Sequence, residues 1–497
     1  MTTLQFVLLL VYAVLLLFIF LYSLMQVSLV LNYLRFRRQK ESKEVRRLDT
    51  GTDQVPMVTI QLPIYNEKYV IERLIDAVAA FDYPKDRMEI QVLDDSTDET
   101  VEITARKVEA TKAKGIDIVH VRREDRQGFK AGALAEGMKT AKGEFLAIFD
   151  ADFVPKKDFL LRTIPFFDCD EVGVVQSRWE HINKNYSILT KLQAFGLDAH
   201  FSVEQVGRNA NGHFINFNGT AGIWRKSCID EAGGWQSDTL TEDLDLSYRA
   251  QLKGWRFRYL ENVGSPAELP AAMNALKTQQ FRWTKGAAEC ARKNLWHVLV
   301  SRNINFSTKL HALFHLMNSF LFVCIISTAL LSVPLMVFKN QSAEFAELSK
   351  YGAFFLLSLL FLAIYYWVAF SRTNPEKATF GRFLVKFPMF LSVSMGLSLH
   401  NAIAVVEGYI GRKTPFIRTP KFNIKQSGDQ WKGNKYLTSS LNLLTLLEGF
   451  LALYFLIGIL IGAWLNDFGL LPFHLMLALG FGLVFYYSVN HSKSIVK

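Results

Sequence analysis

Residues 4–34 contain no charged side chain across 31 consecutive positions. A helix crosses the hydrocarbon core of a bilayer with about 20 apolar residues. Within lipid, only a segment that satisfies its own backbone hydrogen bonds is stable. The stretch is therefore expected to be a membrane-spanning helix. A cleaved signal peptide has a shorter apolar core, a basic start and a small-residue cleavage site. None of these is present, so the helix is expected to be retained. Seven basic residues follow: Arg35, Arg37, Arg38, Lys40, Lys43, Arg46 and Arg47. Positive charge concentrates on the cytoplasmic side of a span, which places the linker 35–56 and the soluble region after it in the cytoplasm. In a bacterium the membrane would be the inner, or plasma, membrane.

The average composition, 50% hydrophobic and 21% charged with 40 phenylalanines, joins two regimes. Residues 35–300 read as a soluble sequence, whereas most of 310–490 is apolar. The net charge of +10 could serve nucleic acid, but the basic residues lie beside apolar segments. The expected partner is the lipid bilayer, with no nucleic acid. Further spans are expected near 316–338, 352–371, 439–465 and 471–489. The region 384–411 is apolar but broken by Lys386, Pro388, His400, Asn401 and Glu407. The stretch 411–435 holds seven Lys or Arg against the single acid Asp429, and belongs in the cytoplasm with the tail. Five spans satisfy both only if 384–411 lies in the interface or re-enters. The four cysteines (Cys169, Cys228, Cys290, Cys324) lack paired spacing and histidine companions, and read as free thiols.

From residue 57 the pattern alternates. Strands are expected at 57–62, 89–93, 116–121 and 144–149, and helices at 69–81, 97–113 and 128–141. That is an α/β domain with a mostly parallel sheet, which binds ligands at the carboxyl ends of its strands. Acidic motifs occupy those ends: Glu67 after the first strand, Asp94 and Asp95 after the second, Asp150 and Asp152 after the fourth. Side chains alternate along an extended segment, so Asp150 and Asp152 are expected to face one way. Two such carboxylates suit Mg²⁺ or Mn²⁺ bridging diphosphate oxygens. An isolated Asp-x-Asp is more often a solvated turn. No glycine-rich phosphate loop occurs, so a cation such as Lys130 would meet the remaining phosphate charge.

Thr241-Glu242-Asp243 precedes a helical stretch and fits an ordinary capped helix start. It also fits a general base, Asp243, kept ionised by the helix amino terminus. Gln279-Gln280-Phe281-Arg282-Trp283 fits a buried aromatic helix face. Equally, an indole stacks on a sugar ring and a guanidinium forks onto phosphate. The order and spacing of all these motifs carry the functional reading, since each alone is common.

In that order, these residues resemble the glycosyltransferase family 2 processive polysaccharide synthases. The stretches 91–98, 130–134, 148–153, 217–225 and 231–235 look like the cellulose-synthase-like mannan and glucomannan synthases. The resemblance implies an A-type glycosyltransferase domain inserted between transmembrane helices, a nucleotide-sugar donor, a divalent metal and a β-linked product. It implies that Asp243 is the catalytic base. Asp94, Asp95, Lys130 and Glu67 would bind the nucleotide, with Asp150 and Asp152 on metal and diphosphate. Gln279, Arg282, Trp283 and Thr220 would line the acceptor site. Phe416, Arg418, Thr419 and Lys421 resemble the mobile gating loop of cellulose synthases, with Arg418 standing where those enzymes have an apolar residue.

The expected division is 1–34 (transmembrane helix), 35–56 (linker) and 57–300 (glycosyltransferase domain ending in interfacial helices). A membrane region of about four helices, 301–497, contains the interfacial segment 384–411 and the loop 412–435. The reading is an inverting synthase that extends a β-linked, β-1,4 in type, glycan from GDP-mannose, GDP-glucose or UDP-glucose and passes it outward. The same residues would also serve an enzyme adding one or two sugars to a membrane lipid. A transporter has no use for such an ordered acidic set.

Overall fold

The computed structural model describes residues 2–39, 46–51, 55–376, 378–424, 429, 435–436 and 442–496. Linker positions 40–45 and 52–54, and loop positions 425–428 and 430–434, lie outside the described residues.

The four expected strands are present as β1 (Val58–Ile64), β2 (Met88–Asp94), β3 (Ile118–Arg122) and β4 (Phe145–Ile148). They continue with β5 (Val172–His181), β6 (Gly222–Arg225) and β7 (Arg256–Ala267). The sheet order is β3-β2-β1-β4-β6-β5-β7, and β6 runs against both of its neighbours. Along β4, Phe145 and Ala147 enter one apolar core while Leu146 and Ile148 enter the other. A strand buried on both faces reads as a continuous apolar run, which is why it was legible. The chain builds β1, β2 and β3 to one side, then places β4 on the other side of β1. The carboxyl ends of β1 and β4 therefore flank a topological switch point, where α/β sheets bind ligands.

The expected strand 144–149 is two residues too long. Beyond Ile148 the backbone turns, and the Phe153 N–H donates to the Asp150 carbonyl at 3.1 Å. Asp150 and Asp152 thus share one cleft because of a turn, and not because of strand alternation.

The first helix, Thr3–Gln39, has 37 residues, about 55 Å at ~1.5 Å per residue. That length crosses a bilayer and continues into the soluble domain. There the Tyr33 hydroxyl donates to Glu261 on β7 at 3.0 Å, and Arg37 pairs with the same carboxylate at 3.2 Å. Gly207 lets the helix approach closely: a Cβ there would stand 2.4 Å from the Leu29 carbonyl. Val30 and Tyr33 share a core with Val203 and Tyr259 of the domain and with Tyr365 and Ala369 of a later membrane helix.

Among the described residues five helices are long and apolar enough to cross a membrane: Thr3–Gln39, Phe320–Gln341, Ala343–Thr373, Leu443–Trp464 and Leu471–Ser492. The region read as interfacial or re-entrant is a helix pair, Phe380–Gly396 and Ser398–Ile410, bent by 50°. It would be a sixth crossing if the pair counts as one span. Gly396 lies against the carbonyl of Gly480, and Gly408 against that of Lys285, so the pair wedges between the last helix and Met273–Val300. All four cysteines are free thiols.

Met273–Val300 joins the two halves of the molecule. Gln279, Arg282 and Trp283, at i, i+3 and i+4, share one face. Lys277, Phe281 and Lys285 share another. Lys277 donates to Glu448 at 2.6 Å and to Ser488 at 2.8 Å, and Lys285 reaches Glu407 at 3.1 Å and Thr414 at 2.9 Å. Breaking a buried pair strands the remaining charge at a cost of about 3–5 kcal/mol. Glu448→Leu should therefore lower the thermal unfolding midpoint of the purified protein markedly. The double variant Lys277→Met with Glu448→Leu should recover most of the loss, as read by melting in detergent.

Candidate active site

A cleft of about 1040 Å³ opens at the ends of β1 and β4. It is lined by Glu67, Asp95, Lys130, Asp150, Asp152, Asp243, Gln279, Arg282, Trp283, Phe416, Arg418, Thr419 and Lys421. Residues up to 350 positions apart in sequence thus meet at one place. Two of the expected site residues do not line the cleft. Asp94 is buried, accepting from the Ser96 N–H at 2.8 Å and facing His120 Nε2 at 2.8 Å. Burial raises its pKa, but these hydrogen bonds outweigh burial and hold it below the usual carboxylate value. Thr220 is also fully buried, and its hydroxyl accepts from the Asp150 N–H at 2.9 Å. It shapes the turn beneath the cleft.

The carboxylates already have cations. Lys130 donates to Asp150 Oδ1 at 2.5 Å and to the Gly219 carbonyl at 2.8 Å. Lys421 donates to Asp152 Oδ2 at 2.7 Å. Each aspartate keeps its other oxygen outside any hydrogen bond among the described residues. Two carboxylates from one turn, each with an uncommitted oxygen, fit a hard divalent cation. No cluster of three or more His, Cys, Asp or Glu with metal-holding geometry occurs among the described residues. Further ligands to such a cation must come from a bound molecule or water.

Asp243 opens the helix Glu242–Leu252, and its Oδ1 accepts from the Leu244 N–H at 2.9 Å. The helix terminus was expected to keep this carboxylate ionised. Instead, burial first and the Glu242 charge second push its pKa up to about 7, against the opposing pull of Lys130. Desolvation and a like charge outweigh the terminus here. Gly219 makes the approach possible. It adopts a φ of +76°, and a Cβ would stand 2.8 Å from Asp243 Oδ2, so only glycine fits both conditions.

Arg282 enters the cleft from the long helix, its guanidinium 4.8 Å from the ring centroid of Phe416. Burial lowers its pKa while Asp150, Glu242 and Asp243 oppose this. Trp283 lies 6.5 Å from Trp179, which itself packs edge-on to Phe153 at 5.2 Å. Trp179, at the far end of β5, carried no motif in the sequence; its place in the cleft follows from the β5–β7 pairing alone. Arg123 and Arg126 were also missed. Arg123 forks onto both oxygens of Asp95 at 2.9 and 2.5 Å, and Arg126 stacks 3.4 Å above the Tyr65 ring.

The loop before the final spans is seated in this cleft. Phe416 stacks on Phe129 at 5.6 Å. Arg418, the residue unlike the cellulose synthases, pairs with Glu67 at 3.0 Å and donates to the carbonyls of Tyr65 and Asn66. Burial pushes the Glu67 pKa up to about 7, opposed by Arg418 and Lys421. Thr419 is buried, and the Phe422 N–H donates to Glu268 at 2.9 Å.

Residues 56–286 match the family described as glycosyltransferase like family 2. The chain is 42% identical over 300 residues to glucomannan 4-beta-mannosyltransferase 1 of Oryza sativa subsp. japonica, covering 58% of each. It is 36% identical over 362 residues to glucomannan 4-beta-mannosyltransferase 9 of Arabidopsis thaliana, covering 67% of this chain and 66% of the relative. The matched stretches thus span between about half and two thirds of these relatives' own length. A mannosyltransferase from Pyrobaculum calidifontis, solved in complex with GDP-Man and Mn²⁺, aligns with a TM-score of 0.52 at 19% identity. The alignment covers 80% of this chain and 100% of that one, and shows the shared fold. A mixed, mostly parallel sheet with its acidic turn at the switch point, set among five apolar helices, is the A-type glycosyltransferase architecture of a polytopic membrane protein, and residues 56–286 form a domain of glycosyltransferase family 2.

Proposed function

We propose that the chain is an inverting hexosyltransferase of the membrane that extends a β-1,4-linked mannan from a nucleotide-sugar donor, GDP-mannose before GDP-glucose or UDP-glucose. The observation that carries this reading is the cleft itself. It gathers a carboxylate poised near neutrality, a pair of cation-binding aspartates and a Gln/Arg/Trp floor within one volume. The identity to plant glucomannan 4-beta-mannosyltransferases supports the mannose donor and the β-1,4 linkage.

In this reading Asp95, held by Arg123, receives the nucleoside. Asp150 and Asp152 hold Mg²⁺ or Mn²⁺, which when bound offsets the charge on the departing diphosphate. Lys130, Arg282 and Lys421 supply fixed positive charge on the same side. Trp283 and Trp179 offer aromatic faces to the acceptor sugar, and Gln279 a hydrogen-bonding amide. Asp243 accepts the proton of the acceptor hydroxyl as that oxygen attacks the anomeric carbon opposite the leaving group. One inversion gives the β-linkage, with no second catalytic carboxylate.

The loop 416–421 closes over the donor, and Arg418 holds it down through Glu67. A second cavity of about 1070 Å³ shares Arg282 and Phe416 with the cleft and leads along Lys277 and His400 to Thr445. It supports passage of the product between the membrane helices. The basic residues after the first span support a cytoplasmic catalytic domain, 57–300, with the linker 35–56 on the same side.

Four outcomes test the proposal. Purified protein in vesicles with Mn²⁺ or Mg²⁺ should incorporate mannose from GDP-mannose into long, β-mannanase-sensitive chains, and chelation should abolish incorporation. Only one or two sugars on extractable lipid would instead mark a glycolipid synthase. Asp243→Asn should lower kcat by about 10²–10⁴ while leaving donor binding intact. Because Asp243 works ionised and its pKa is raised to about 7, wild-type kcat/KM should rise with pH to about 7 and level off. Arg418→Ala should raise the donor KM about tenfold, with a smaller effect on kcat. Adding Glu67→Gln should cost little more, since the two residues act as one pair.

A further inference from the structure

Away from the cleft, three lysines converge where the catalytic domain meets the membrane helices. Lys184 follows β5 and Lys191 lies on the helix Ile188–Ala199. Lys386 comes from the opposite side, on Phe380–Gly396. Together they line a pocket of about 420 Å³. Its one carboxylate, Asp198, lies 3.4 Å from His181. Among the described residues no carboxylate stands within ion-pair distance of any of the three ammonium groups. The Lys386 ammonium sits 4.9 Å from the Phe370 ring centroid. Three like charges held around one concavity repel each other, and an anion between them is the physical remedy.

The surroundings identify the kind of anion. Ile188 is 40% exposed on the same helix as Lys191, while Phe380 and Leu384 are 62% and 55% exposed on the same helix as Lys386. Large apolar side chains stand open on both helices that carry Lys191 and Lys386, and a long apolar helix ends at Thr373 on the pocket wall; together these match the headgroup level of a bilayer. Basic pockets between membrane helices bind anionic headgroups. A soluble anion would need only the lysines; a phospholipid also uses the exposed apolar side chains of those helices. We propose that this pocket binds the headgroup phosphate of an anionic phospholipid from the leaflet facing the catalytic domain. Lys184 and Lys191 belong to the domain and Lys386 to the membrane hairpin, so one phosphate ties the two together. The pocket is separate from the cleft and does not depend on which sugar is transferred.

Native mass spectrometry of the purified full chain, supplied with phosphatidylglycerol or phosphatidylcholine, tests the site. The wild type should retain one more phosphatidylglycerol than the variant K184Q/K191Q/K386Q. Each lysine removed should weaken retention about fivefold, from the ~1 kcal/mol that a basic residue near an anionic surface contributes. The variant K184R/K191R/K386R should keep the lipid, and sugar-transfer activity of each variant should report that it has folded. Equal retention of the two lipids, or an unchanged lipid count in the glutamine variant, would overturn the proposal. So would displacement of the lipid by millimolar inorganic phosphate, which would make this a free-anion site.

Discussion

Six carboxylates line one cleft: Glu67, Asp95, Asp150, Asp152, Glu242 and Asp243. Uncompensated, that much negative charge in a partly dry site is prohibitive, because charge interactions strengthen several-fold as the surroundings lose water. The compensating cations come from three places in the fold. Lys130 belongs to the sheet domain, Arg282 to the long helix, and Arg418 and Lys421 to the loop between membrane segments. The acidic cleft therefore acts as the joint that brings domain, long helix and loop together. The balance is incomplete at three points, since burial leaves Glu67 and Asp243 with pKa values near 7 and raises that of Glu242 as well. Incomplete compensation is what a general base needs, for a fully paired carboxylate would be too weak a base.

The helix Met273–Val300 transmits this arrangement to the membrane. One face supplies Gln279, Arg282 and Trp283 to the cleft, and the other is tied by Lys277 to Glu448 and Ser488 and by Lys285 to Glu407 and Thr414. Ion pairs of this kind add little net stability but fix register, because slipping one residue would strand two buried charges. The floor of the site is thereby held in place relative to the spans through which a product would leave.

Much of this was legible beforehand. β1, β2 and β4 announce themselves as apolar runs, and the acidic residues fall at their carboxyl ends as the α/β pattern requires. The less legible parts have particular causes. Adjacent aspartates look alike in sequence, yet Asp95 faces the cleft and Asp94 turns inward to His120. Trp179 reaches the site only because β5 pairs with β7, a contact made across about 80 residues. The expected ionisation of Asp243 rested on a local helix end, whereas burial and Glu242 decide its acid constant. Arg418 was visible as a departure from the cellulose synthases, but its partner Glu67 lies some 350 residues earlier.

The sequence by itself determined the membrane spans, the α/β domain and the identity of nearly every group in the cleft. These depend on local periodicity and on side-chain chemistry that neighbours cannot change. Tertiary structure alone decided which carboxylate meets which cation, which of two aspartates faces the cleft, and how far each pKa moves. Those depend on distance and on water exclusion, and both exist only once segments hundreds of residues apart are packed together.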